Sequence, residues 1–189
     1  MTGKTHLAAG ILIGEAFCLY AGTHDLPLIA GMIILSGVGS LMPDIDLPNS
    51  TISKRNKATR AVSSVTSRVF THRGFTHTLP FLLITASLIF WILSKIKFQP
   101  YLLTSSYIVG FLSHLLLDSL NEKGVMWLWP LSDCRIYLAK IRTGSKKEKR
   151  FRILINVVAT CILGVMVYSF MPVETIKNVA SHFGSTPFS

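Results

Sequence analysis

Residues 72–96 read HRGFTHTLPFLLITASLIFWILSKI, and the rest of the chain is understood from this stretch. Two histidines and an arginine occupy one short turn, His72 to His77. A predominantly apolar run, Thr78 to Ile96, follows at once. As a helix this run rises about 28 Å, close to the ~30 Å apolar core of a bilayer. Lipid offers the backbone no water, so a helix is the form such a run takes. His72 and His77 then stand at the mouth of a membrane helix.

Working outward, four more runs have the same character: residues 7–23, residues 28–42, Tyr101 to Leu120 and Phe151 to Met171. Composition agrees. Of 189 residues, 50% are hydrophobic and 15% charged, against about 25% charged in soluble domains; mean hydropathy is +0.49. The expected fold is all-α, a polytopic membrane helix bundle of about five transmembrane helices. Residues 1–171 form one membrane-embedded domain with a metal-site core in 1–130, and 172–189 form a polar tail. Lys4 before the first run resembles the start of a signal peptide, but no small-residue cleavage site follows, so the run reads as the first span. In the second run Gly31, Gly37 and Gly39 permit close helix approach. It is short and ends at Pro43-Asp44-Ile45-Asp46-Leu47-Pro48, where the prolines stop the helix and leave both aspartates at its end. Residues 53–70 read either as an interfacial helix on anionic lipid, with Ala58, Ala61, Val62, Val65 and Val69 near helical spacing, or as a solvated loop. Cys18, Cys134 and Cys161 make no CxxC pair and no disulfide framework. Cys18 and Cys161, inside apolar runs, read as small buried hydrophobes.

The formal charge of +10 lies in the segments between spans, so topology accounts for it and no nucleic-acid partner is expected. Lys and Arg number one before the first span (Lys4), six in 47–78 and nine in 121–152, against three elsewhere (Lys95, Lys97, Lys177). The positive-inside rule puts the N-terminus and both long loops in the cytoplasm and, after five spans, the C-terminus on the periplasmic or extracellular side. The unusual polar residues then share one face. His6 opens the first helix, Asp44 and Asp46 end the second, His72 and His77 open the third, and His114 and Asp118 approach the end of the fourth. His114 and Asp118, four apart, lie on one helix face. The opposite side has only His24 with Asp25 as a comparable pair.

Imidazole with carboxylate suits a divalent ion, zinc first and manganese or iron as alternatives, rather than calcium. Seven donors exceed one four-ligand site. The surplus fits two ions about 3.5–4 Å apart, or one ion with a general base and outer carboxylates. Such an ion lowers the pKa of bound water from 15.7 to about 7. The planar fork of Arg73 suits a phosphate oxygen or an orienting carboxylate such as Asp46, which makes Arg73 and Asp46 the catalytic candidates. Blander readings exist for each residue alone: the aspartates as caps, His114 with Asp118 as a hydrogen-bonded pair, single histidines as interfacial residues. His72 and His77 lie about 140° apart on an ideal helix. Either Gly74 turns the backbone to bring both inward, or one faces away and the ligand set shrinks to six. Glu15 is about 13–14 Å deeper than His6, so it reads as structural or as an outer support. Trp127 and Trp129 read as interface anchors or as lining for the entrance. Thr5-His6 and Thr76-His77 open helices in the same way, as a parallel repeat or as coincidence.

Thr5-His6, PDIDLP (43–48), HRGFTH (72–77), Ser113-His114, Leu117-Asp118 and the WLWP cluster (127–130), in this order, resemble the YdjM-like, LexA-regulated family of membrane-bound metal-dependent hydrolases. Asn121 stands where relatives often carry Thr and is given no role. The resemblance implies a metal-dependent hydrolase of a bacterial cytoplasmic (inner) membrane, expressed in the SOS response and acting on a phosphoester or lipid-type substrate. Two other classes compete: a metal ion or proton transporter, and a non-enzymatic membrane protein with a structural metal. Transport sites favour the bilayer midplane, whereas this cluster lies at one face. The expected partners are the lipid bilayer and a lipid or phosphoester substrate, drawn by basic loops that attract anionic headgroups.

Overall fold

Among the described residues the α-helices are α1 (Gly3–Ala21), α2 (Leu26–Gly39), α3 (Leu79–Ile96), α4 (Pro100–Ser119) and α5 (Lys146–Ser169). The computed structural model describes residues 1–46, except the side chain of Asp46, and residues 75–170. The expectations for 53–70, His72, Arg73, Gly74 and the 172–189 tail therefore lie outside the described residues. No strand occurs among the described residues, and the chain is a helical membrane bundle.

Local chemistry sets the helix ends. α1 closes on Gly22, whose left-handed φ of 61° lets its N–H reach the Leu19 carbonyl. α2 stops before the predicted residue 42, because a 3-10 turn, Met42–Asp46, takes over at Pro43. A second 3-10 turn, Phe75–His77, precedes α3. Thr78 caps α3 by accepting from the Phe81 N–H at 3.3 Å, with Pro80 in the first turn. α5 begins at Lys146, five residues before the predicted apolar run. Ser145 accepts from the Glu148 N–H at 3.2 Å, which caps a basic first turn.

α3, α4 and α5 are long and apolar enough to cross a membrane. α2, with 14 residues, rises only about 21 Å. α1 has the length, at 19 residues, but carries Thr5, His6 and Glu15. Both pack against α4 and against each other on one side, while Ile13 and Leu19 of α1 and Leu26 and Ile34 of α2 stay exposed. α4 is the centre of the bundle: 56% of its apolar window is buried, against 11% for α3 and 17% for α5. It packs on α2, α1 and α3, and α1 also packs on α2 and α5. Cys161 corrects the sequence reading. It is exposed, because α5 packs only one side against α1, whereas Cys18 is buried as predicted.

The tightest crossing is α2 on α4. A Cβ at Gly110 would land on the Ser36 backbone carbonyl, so only glycine permits this approach. Ser36 Oγ donates to the Gly10 carbonyl of α1 at 2.7 Å, which joins all three helices at one level. Across the other face of α4, the Tyr107 hydroxyl donates to Thr85 Oγ1 of α3 at 2.8 Å. Tyr107, Phe111, Leu115, Leu82, Ala86 and Val125 form the apolar cluster below the site.

Between α4 and α5 the chain folds back on the helix ends. The Leu138 N–H donates to the Ser119 carbonyl at 2.8 Å and the Ile141 N–H to the Leu120 carbonyl at 3.0 Å. The Leu79 N–H of α3 donates to the Trp127 carbonyl at 2.8 Å.

Candidate metal centre

Four elements deliver five of the predicted donors to one point. His6 comes from the first turn of α1, Asp44 from the 3-10 turn after α2, His77 from the 3-10 turn before α3, and His114 with Asp118 from one face of α4. The three histidines are fully buried and Asp118 is nearly so. His77 Nε2 lies 3.6 Å from Asp44 Oδ1 and 3.7 Å from Asp118 Oδ2. His114 Nε2 lies 3.8 Å from Asp118 Oδ2 and 4.0 Å from Asp44 Oδ1. His6 Nε2 lies 3.3 Å from Asp118 Oδ1. Donor atoms of His6, Asp44 and His114, and of His77, His114 and Asp118, each fall within 4.8 Å of one another. Most of these separations are long for hydrogen bonds. They approach the spacing between ligands around an ion: bonds of about 2.0–2.1 Å in a tetrahedron put neighbouring donors about 3.3 Å apart.

The neighbours orient the rings. His114 Nδ1 lies 2.7 Å from the Ser40 carbonyl, which accepts its proton and leaves the Nε2 lone pair facing the carboxylates. That Nε2, and Nδ1 of His6, are buried with no hydrogen-bond partner among the described residues. Thr76 Oγ1 lies 3.1 Å from His77 Nδ1 and plays the same orienting part. The His6 and His114 rings stack with centroids 3.7 Å apart and planes 13° from parallel. Two buried carboxylates facing imidazole lone pairs form a donor set that could hold a divalent ion. The α-ammonium of Met1 already ion-pairs with Asp118 Oδ1.

One clamp went unseen in the sequence. Glu148, inside the run Lys146 to Arg152, is buried. Its Oε1 accepts from the Thr2 N–H, the Thr2 hydroxyl and the Thr5 hydroxyl, each at 2.7 Å, and its Oε2 from the Gly144 N–H at 2.6 Å. The start of α5 thus fixes the turn of α1 that carries His6. The only signal available was the spacing Ser145 to Glu148, and an acid among lysines reads as a solvated counter-charge.

A family described as YdjM inner membrane protein matches residues 1–173. The chain belongs to the YdjM inner membrane protein family. The match runs past the WLWP cluster and takes in Glu148 and α5. Among relatives, the uncharacterized protein YvsG of Bacillus subtilis (strain 168) is 36% identical over 150 residues, covering 79% of this chain and 86% of the relative. Inner membrane protein YdjM of Escherichia coli (strain K12) is 37% identical over 136 residues, covering 69% of this chain and 66% of the relative. Inner membrane protein YbcI of the same organism is 34% identical over 140 residues, covering 70% and 69%. No solved structure matches the chain.

The other candidates fall as follows in this YdjM family member. His72, Arg73 and the side chain of Asp46 lie outside the described residues, so the set the structure brings together is His6, Asp44, His77, His114 and Asp118. Glu15 is buried deeper in α1, with Oε2 unpartnered among the described residues. Trp127 is held inward: its Nε1 donates to Ser119 Oγ at 2.9 Å. Trp129 meets Phe75 edge-on with centroids 6.3 Å apart, beside the turn that carries His77. Asn121 is buried and donates to Thr143 Oγ1 at 2.6 Å, which ties the loop rather than the site.

Proposed function

We propose that the chain is a metal-dependent hydrolase of the bacterial cytoplasmic membrane, acting at the inner face on a phosphoester or lipid-type substrate. One observation carries the reading: His114, held by the Ser40 carbonyl, presents a buried Nε2 with no hydrogen-bond partner among the described residues to Asp44 and Asp118, beside His6 and His77. In this reading His6, Asp44, His77, His114 and Asp118 hold one divalent ion, zinc first, with manganese or iron as alternatives. The two donor triads share His114, whose single available lone pair serves one ion, so a second ion depends on Asp46 and His72. An ion held there supplies positive charge that acidifies water and stabilises charge on a phosphoryl oxygen. Asp46 serves as a ligand or as general base, and Arg73 holds a substrate oxygen. The positive-inside count supports a cytoplasmic N-terminus and a C-terminus on the other side.

The test is metal analysis of the purified protein by mass spectrometry, followed by a phospholipid and phosphoester hydrolysis screen. Stoichiometric zinc, manganese or iron is expected, lost in His77→Ala and His114→Ala. Unchanged metal content in both variants would sink the assignment. Glu15 favours a second reading, cation translocation, because intramembrane carboxylates mark ion paths. Metal flux in proteoliposomes without hydrolysis of any substrate would establish it instead.

A further inference from the structure

The segment between α4 and α5 exposes large apolar side chains at the wrong place for a loop in water. Leu131 is 83% exposed, Leu138 61%, Tyr137 56% and Leu128 49%. Exposed basic residues stand among and after them: Arg135, Lys140, Arg142, Lys146 and Lys147. The acids nearby are few. Asp133 lies within the segment, and Glu122 is engaged by Arg142 at 3.6 Å. The backbone fixes the depth. Leu138 and Ile141 are hydrogen-bonded to the carbonyls of Ser119 and Leu120, where α4 ends, and Trp127 to the N–H of Leu79, where α3 begins. The apolar side chains therefore stand at the level where two spans leave the membrane.

We propose that residues 128–142 form an interfacial segment that seats Leu128, Leu131, Tyr137 and Leu138 in the boundary layer of anionic phospholipid beside the metal centre. Apolar side chains at that depth meet acyl chain rather than water, and the basic side chains between them face headgroup phosphates. Charge complementarity selects anionic lipid over a zwitterionic surface. The segment requires only that the spans cross the bilayer, so it holds whether or not the centre hydrolyses anything.

The test uses the full chain in nanodiscs of phosphatidylcholine alone and of phosphatidylcholine with phosphatidylglycerol. Trypsin cleavage after Arg135 and Lys140 is read by mass spectrometry relative to cleavage after Lys97 at the far end of α3. The expected result is a fall of at least about tenfold in that ratio in the anionic discs. Leu131→Asp, at a side chain with little packing to lose, and Leu131→Asp with Leu138→Asp should each restore cleavage. Equal ratios in the two discs would overturn the proposal. Equal protection in both discs and in detergent would overturn it too, since a second copy or another part of this chain would then cover the segment.

Discussion

Removing the Glu148 carboxylate is the sharpest perturbation the structure offers, because its consequences at the clamp and at the metal centre are separable. In Glu148→Ala, four donors lose a buried anionic acceptor: the Thr2 N–H, the Thr2 and Thr5 hydroxyls, and the Gly144 N–H. Hydrogen bonds to charged groups contribute about 1.5–3 kcal/mol each, but the losses here are not additive. Thr2 Oγ1 and Thr5 Oγ1 lie 2.9 Å apart and partly satisfy each other once the acid is gone. A net destabilisation of about 3–5 kcal/mol follows, the scale of breaking a buried charged network. Glu148→Gln is milder. Its oxygen keeps the three Thr donors, and only its amide nitrogen opposes the Gly144 N–H, one unsatisfied contact of about 1–3 kcal/mol. Glu148→Ala frees the turn that carries His6, so its metal affinity should fall about 10–100-fold, as when outer partners of metal ligands are removed, whereas Glu148→Gln, which keeps the Thr donors, should lose less. The assays are thermal melting in detergent, chelator competition for the metal, and hydrogen exchange at Thr2 to His6. A Glu148→Ala protein with unchanged melting, metal affinity and exchange would refute the clamp. A wild type that binds no metal, with exchange still raised in the variant, would leave the clamp standing and remove the metal centre.

Three further outcomes follow from the same geometry. Gly110→Ala should destabilise by about 1–3 kcal/mol, because its Cβ meets the Ser36 carbonyl and forces α2 from α4; it should also weaken metal binding by pulling Ser40 from His114, and unchanged melting would contradict the crossing. Acid should strip the metal, since protons compete for the same imidazole lone pairs. Occupancy after dialysis should fall as pH is lowered below neutral and hold as it is raised, and the opposite sign would remove the histidines from the site. Cys134, exposed in the loop between α4 and α5, should react with a membrane-impermeant maleimide only after cells are permeabilised. Labelling in intact cells would reverse the proposed orientation.

The sequence by itself determined the helices and the end of the bundle at which the chemistry collects. Apolar runs are local, prolines and glycine stop them within a few residues, and an i, i+4 pair such as His114 and Asp118 is fixed by one helix. Residue counts also gathered the lysines and arginines between spans without any knowledge of packing. The tertiary structure alone decided which faces meet. His6 and Asp118 come together across more than a hundred residues of chain, and nothing local sets the rotation of α1 against α4. Gly39, picked out in the second run, does approach the Tyr107 carbonyl of α4, but Gly110 makes the tightest crossing, because close approach depends on the partner carbonyl as much as on the missing side chain. The Ser40 carbonyl that orients His114 and the Glu148 carboxylate that holds the turn of His6 were illegible for the same reason. A backbone oxygen and an acid within a basic run carry no pattern of their own, and they acquire a role only when distant helix ends are brought to one point.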